Sequence, residues 1–282
     1  MALKIDVVDR VSTYPGRVVL TPVTGKTNTY DMERADVPVT EGTPINKVLF
    51  DSKANTLTKD VTLYVASTGN NATGDGSVDA PFKTIQAAIN AVPKHMGGHT
   101  VTIDIEAGTY EERLVVNGFS CGRLVIGIYG RSVTIRGIDI DNSSVIVTNI
   151  SKITYADGFN GNLFDVDNGS NVLISQGVTI DGTNSGLAGG LEVRSCSTVS
   201  VDSNNQVTLS NLFSGIGASR GSTVALARIS GTNVYFGITV GFGSVVSYDT
   251  NTLVSSVGNE AANGSRIYSG NGTVNFVSAK IE

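Results

Sequence analysis

Ser143-Ser144-Val145-Ile146-Val147 and Ser170-Asn171-Val172-Leu173-Ile174 are two copies of one phrase, Ser-x-Val-x-(apolar or Tyr). It returns at Ser197-Thr198-Val199-Ser200-Val201, Ser222-Thr223-Val224-Ala225-Leu226 and Ser244-Val245-Val246-Ser247-Tyr248. Gly272-Thr273-Val274-Asn275-Phe276 reads as a sixth, degenerate copy. The first residues lie 27, 27, 25, 22 and 28 positions apart. Strand-type phrases repeating at this interval argue for a solenoid.

Working outward, an apolar pair precedes each phrase: Phe164 and Val166, Leu191 and Val193, Ile216 and Ala218, Ile238 and Val240. Pair and phrase share one alternation, so both point to the same side of a pleated strand. The residue just before the Ser is Gly169, Cys196, Gly221, Gly243 or Asn271, a composition suited to a corner with unusual φ. A third apolar piece follows each phrase: Val178 with Ile180, Val207 with Leu209, Val234 with Tyr235, Leu253 with Val254. Three short strands and three bends per repeat describe one rung of an all-β, single-stranded right-handed parallel β-helix. Rungs stack about 4.8 Å apart, so Val145, Val172, Val199, Val224, Val246 and Val274 form one internal ladder. No rung holds enough apolar surface to fold alone, and stability comes from its neighbours. The reading predicts roughly eight or nine rungs, on the order of 40 Å of stack.

The remaining composition agrees. Thirty-three glycines and only 16% charged residues in 282 suit a turn-rich β chain. A net charge of −5 gives no basic footprint for nucleic acid. No run of about 18 apolar residues is present, so no membrane span is expected. The start MALKIDVVDR lacks the apolar core of a secretory signal, and synthesis in a bacterial cytoplasm without a signal peptide is the expectation. Cys121 and Cys196, 75 positions apart, read as free thiols.

Three regions follow from texture. Residues 1–60 carry four of the six prolines (Pro15, Pro22, Pro38, Pro44) and no rung-length repeat, and read as a small attachment region. Within it Arg17 to Thr21 reads as a strand, and Ala35 to Ser52 as a loop with a short helical turn. Residues 61–100 hold a leading strand, Leu63-Tyr64-Val65, a Gly/Asn/Asp loop from Ser67 to Ala80, and one helix between Pro81 and Pro93. In that helix Phe82, Ile85, Ala88, Ile89 and Val92 share a face, Thr84 is an N-cap and Pro93 a stop. Such a helix would cover the open first rung. Residues 101–282 are the β-helix itself.

The order DGSVDAPFKTIQAAINAV (75–92) then TIDIEAGTYEERLVV (102–116) resembles the leading module of the pectate-lyase-like β-helix superfamily, which includes many phage tailspikes. The run Tyr30 to Asp36 with Glu41-Gly42-Thr43-Pro44-Ile45-Asn46-Lys47 resembles the N-terminal segment of bacteriophage and prophage tail or baseplate appendages. The resemblance implies a virion protein, a homotrimer, docked on other tail or baseplate proteins through its N terminus and contacting host-surface polysaccharide. A head-decoration fibre shares the same physics. The enzymatic alternative is a tailspike-type polysaccharide depolymerase, a glycoside hydrolase or lyase.

Candidate chemistry comes from aligning repeats on the Ser. That sets Asp165 beside Glu192 as a catalytic carboxyl pair, and Asp167 beside Arg194 as carbohydrate contacts. Carboxyls on successive rungs lie about 5 Å apart, near the spacing of retaining glycosidases. The same column continues with Gly217 and Thr239, and a solvated salt-linked patch is the competing reading. His95 and His99 are the only histidines and give no metal cluster. Asp139, Asp141 and Asn142 read as an acidic turn before Ca²⁺ ligands; Asp181 to Asn184 and Asp202 to Asn205 read as turns. No metal or cofactor is expected.

Overall fold

A computed structural model describes residues 57–269, apart from 129, 149, 156–160, 184–187 and 258. It also describes 11–12, 18–22, 24–25, 27, 30–34 and 38–40. The chain divides into a unit spanning Ala2–Asn55 and one spanning Thr56–Glu282.

In the first unit β1 (Val11–Ser12) pairs antiparallel with β4 (Pro38–Thr40), and β2 (Val18–Pro22) with β3 (Tyr30–Arg34). β2 matches the strand predicted near Arg17 to Thr21. β4 falls inside a stretch read as loop, and the whole Glu41–Lys47 phrase lies outside the described residues.

The second unit is an all-β parallel solenoid of about six turns, with one helix among the described residues. β5 (Val61–Val65) leads into a long loop and then α1 (Ile85–Ala91), after which β6 (Thr100–Ile105) pairs in parallel with β5. α1 is shorter than predicted because Phe82 forms a parallel bridge with Val65. All five predicted face residues are nevertheless buried. The Thr84 hydroxyl accepts the N–H of Ala87 at 3.2 Å. Two more orphan amides at this helix start, those of Ile85 and Gln86, donate to the Glu112 carboxylate at 3.0 and 2.9 Å. A loop residue far along the chain thereby fixes where the helix begins.

Three columns of strands then build the stack. The first side holds β5, β6, β9 (Arg123–Ile126), β12 (Ser144–Val147), β15 (Asn171–Ile174) and β18 (Thr198–Val201). It continues through the starts of β20 (Thr223–Val240) and β21 (Val245–Val257) to β23 (Arg266–Ser269). The second side holds β8 (Arg113–Asn117), β11 (Gly137–Asp141), β14 (Asn162–Asp167) and β17 (Gly189–Val193). It ends with the C-terminal parts of β19 (Gln206–Ala218) and β20, then β22 (Glu260–Ala261). The third side runs from β7 (Gly108–Thr109) and β10 (Val133–Ile135) through β13 (Ile150–Thr154) and β16 (Val178–Asp181) to β19, β20 and β21.

Val145, Val172, Val199, Val224 and Val246 are direct partners on successive rungs and all buried. The next place belongs to Ile267, not Val274, which lies outside the described residues. The true sixth phrase is therefore Ser265-Arg266-Ile267-Tyr268-Ser269, and the corner before it is Gly264. On the third side Val207 faces Ile229 and Leu209 faces Gly231. Val234 sits a corner further on, opposite Leu212, and Tyr235 is exposed. Among the described residues the turns are fewer than the eight or nine predicted.

The recurrent Ser is explained by a ladder along one corner. The N–H of Ser143 donates to the Ser170 hydroxyl at 3.2 Å, Ser170 to Ser197 at 3.2 Å and Ser197 to Ser222 at 3.3 Å. Ser222 donates to Ser244 at 3.0 Å and Ser244 to Ser265 at 3.3 Å. All six serines are buried. Each hydroxyl from Ser170 to Ser265 thus accepts a hydrogen bond from a buried corner N–H. The amides of Ser170 and Ser197 also reach the carbonyls of Asp167 and Arg194, at 3.3 and 3.2 Å, whereas those of Ser143, Ser222 and Ser244 rely on the hydroxyl among the described residues. Before Ser143 only Asn142 has positive φ; at the other five of the six corners both residues before the Ser do, Asn168-Gly169, Ser195-Cys196, Arg220-Gly221, Phe242-Gly243 and Asn263-Gly264, as a type I′ turn requires. Gly serves the second of these places except where Cys196, at φ 62°, bears the strain.

Candidate functional site

The outward face of the second side carries the predicted residues. Its period-2 alternation buries Phe164, Val166, Leu191 and Val193 and turns Asp165, Asp167, Glu192 and Arg194 away from the core. Parallel register makes Asp139, Asp165 and Glu192 partners on three successive rungs, followed by Gly217, Thr239 and Glu260. Asp141 and Asp167 form a second acidic pair alongside.

Two arginines bind this column. Arg194 Nη2 donates to both oxygens of Asp165, at 2.9 and 2.8 Å, and lies 3.4 Å from Asp167. Arg113 forms a two-pronged ion pair with Asp139, with Nε to Oδ2 at 2.7 Å, and donates to the Asn162 carbonyl. Asp141 accepts from the amides of Asn117 at 3.1 Å and Asn168 at 2.7 Å, so its oxygens are used in holding a corner. Sequence reasoning treated Asp139 and Asp141 as a separate turn. In space they extend the Asp165 column, a relation available from the same 26-residue offset.

The electrostatics are uneven. Burial pushes the Asp165 carboxyl above its usual range, more than Arg194 draws it down. Burial pushes Glu192 up to about 7; Arg194 draws it down only in part, and the like charges of Asp165 and Asp167 raise it further. Asp167 moves the other way: burial opposes ionisation, but the Ser195 hydroxyl, the Asn168 N–H and Arg194 hold it below the usual carboxylate range. One face thus holds a carboxylate and a protonatable acid at neutral pH, the divergence that acid–base chemistry uses.

Gly217, which in sequence only interrupts the acidic column, has a role there that the sequence reading missed. A Cβ there would stand 1.7 Å from Glu192 Oε2, so the missing side chain is what lets Glu192 fold across the next rung. The signal was the Glu-to-Gly succession at one rung interval. Glu192 then lines a shallow groove of about 230 Å³ with Ser219, Thr239, Phe242 and Glu260. A protonated Glu192 can donate to a hydroxyl or carbonyl lying there. Asp165, with both oxygens engaged by Arg194, is poorly placed to attack as a nucleophile.

The other singled-out residues fall elsewhere. His99 Nδ1 lies 3.4 Å from Asp60, and His95 bridges Ser120 in the backbone. No cluster of three or more metal-ligating side chains occurs among the described residues. Cys121 and Cys196 are exposed free thiols. Asp181 caps its own turn by accepting the N–H and hydroxyl of Thr183, and Asn205 N–H donates to the Asp202 carbonyl. No helix among the described residues is long and apolar enough to cross a membrane. Comparison with known proteins finds no matching family model, no matching curated protein and no matching solved structure.

Proposed function

We propose that this chain is a structural and interaction component of a bacteriophage or prophage tail, a fibre, tailspike or baseplate appendage that contacts host-surface glycan. The observation that carries the reading is the closed ion-pair column on the second side. Arg194 and Arg113 neutralise Asp165 and Asp139 in fixed geometry, which suits a rigid display surface better than a nucleophile and its acid. In this reading the winding is right-handed and α1, with Ile85, Ala88 and Ile89 fully buried, closes the first rung. The N-terminal unit docks on other tail or baseplate proteins, the working form is a homotrimer, and the protein resides in the virion. A head-decoration fibre would differ only in its docking point.

The test is direct. Purified protein is measured for mass by solution scattering and for retention on host envelope polysaccharide. A trimer that binds supports the reading; a monomer that is not retained removes it.

One observation favours a second reading, a glycan depolymerase. Glu192, at about 7, sits in a groove next to Asp165, in the role of a general acid. New reducing ends released from the polysaccharide, and lost in Glu192→Gln, would establish it. Absence of release would leave the binding role.

A further inference from the structure

On the corner between the third and second sides, aromatic rings stand in water. Phe213 in β19 and Tyr235 in β20 occupy the same register on adjacent rungs, between the Leu212–Val234 and Ser214–Phe236 pairs. They are 43% and 48% exposed, and their rings lie parallel at 7° with centroids 5.5 Å apart. Phe236 holds both edge-on, at 5.3 and 4.8 Å, which fixes the pair as a rigid two-rung platform. The pair stacks ring on ring across two rungs, and the sides that the stacking leaves free stay open to solvent.

Beside the platform runs a file of amides and hydroxyls. Asn211 donates to Asp181 and to the Thr183 hydroxyl, each at 2.9 Å, and Asn233 donates to the Asn211 carbonyl oxygen at 2.8 Å. Asn211 and Asn233 take φ of 55° and 57°, so the corner itself aims them. Rings and amides together line a groove of about 410 Å³, within the range of small-ligand sites. Asp181 sits behind Asn211 and Thr183 and is further paired with Lys152 at 3.2 Å, so no uncompensated charge faces the groove.

We infer that this corner is a binding site for a neutral oligosaccharide, with the solvent-open sides of the stacked Phe213 and Tyr235 rings packing against the C–H face of a pyranose and Asn233, Asn211 and Thr183 meeting its hydroxyls. Aromatic faces with amide and hydroxyl neighbours, and no net charge, recognise a ligand that is apolar on one side and hydroxylated on its rim. The inference rests on the glycan-contact reading above and assigns it a location.

The experiment is saturation-transfer NMR on the full chain with a panel of neutral hexose and N-acetylhexosamine oligosaccharides, alongside a sulfated oligosaccharide. Transfer to ring C–H protons of a neutral member, with shifts confined to the Phe213 and Tyr235 aromatic resonances of the unsubstituted protein, is the expected result. Tyr235→Ala and Phe213→Ala are expected to weaken binding about tenfold, while Val78→Ala, 66% exposed elsewhere, leaves it unchanged. The aromatic shifts need no variant, so a substitution that disturbs folding does not void the test. No transfer from any neutral member, preference for the sulfated one, or binding indifferent to both aromatic substitutions overturns the site. Retention of host polysaccharide with indifferent aromatic variants sinks this inference alone; loss of both sinks the glycan reading as well.

Discussion

Ser244→Ala probes the corner ladder where it has least redundancy. Ser244 is fully buried, and its hydroxyl accepts the N–H of Ser222 at 3.0 Å. Among the described residues that amide has no carbonyl partner besides. Alanine leaves a buried N–H unsatisfied, a cost of about 2 kcal/mol within the usual span for such groups. For a domain of this size that corresponds to a fall in Tm of about 4–8 °C. Ser197→Ala supplies the internal comparison. Its hydroxyl accepts the N–H of Ser170 at 3.2 Å, but that amide also reaches the Asp167 carbonyl at 3.3 Å, so the loss is cushioned to about 1 kcal/mol. Ser247→Ala, on the outward side of the same strand, is the control and stays within about 0.5 kcal/mol. Thermal unfolding followed by circular dichroism measures all three. Should Ser244→Ala melt with the unsubstituted protein, or Ser197→Ala prove the worse of the two, the hydroxyl-to-amide ladder does not hold the corners.

Glu192 gives a pH signature. Its folded-state proton is held to about pH 7 against an ordinary value near 4.5, so the folded chain binds more protons between those limits. Its contribution is therefore complete at the acid end and lost as pH rises through about 7. Glu192→Gln should melt higher relative to the unsubstituted protein at pH 8 than at pH 5, and a constant difference would count against burial of the acid. Gly217→Ala displaces the Glu192 carboxyl toward water, and carbon-detected NMR titration should then find its pKa back near the ordinary range. Gly221→Ala has open space around the new methyl, the nearest atom being Cys196 Sγ at 3.6 Å, but φ is +75°. Backbone strain alone should cost about 1 kcal/mol, read as a shift in the denaturation midpoint. Asp165→Asn should leave stability unchanged or slightly raised at neutral pH, since burial outweighs Arg194's pull on the carboxylate and Arg194 keeps Asp167; a loss of several kcal/mol, read from the denaturation midpoint, would mean the pair is a structural anchor.

The fold was legible because two signals repeat on the same interval, an aliphatic residue for the interior and a Ser for the corner. Columns one and two could be read rung by rung from Val145 to Val246 and from Phe164 to Val240. The third side was harder. β20 runs unbroken through two corners, so Gly231 and Val234 blur its alternation, and Tyr235 looks apolar in sequence while standing in solvent. The last rung was missed because Ile267 replaces Val. Its Ser265, preceded by Asn263-Gly264, carried the better signal. At the candidate site the pairing of Asp165 with Glu192 was a matter of register alone. The hold of Arg194 on Asp165, and the room that Gly217 leaves for Glu192, depend on side-chain paths across rungs that a linear reading does not contain.

The central claim is that these rungs stack in one register, and methyl NOEs between valines and isoleucines assigned by substitution test it most directly. Cross-peaks are predicted for Val172 with Val199, Val199 with Val224, Val224 with Val246 and Val246 with Ile267, with none between Val172 and Val224 two rungs apart. Absence of the sequential contacts, or a Val246 contact to Val274 in place of Ile267, would contradict the register on which the site, the corner groove and the proposed function all depend.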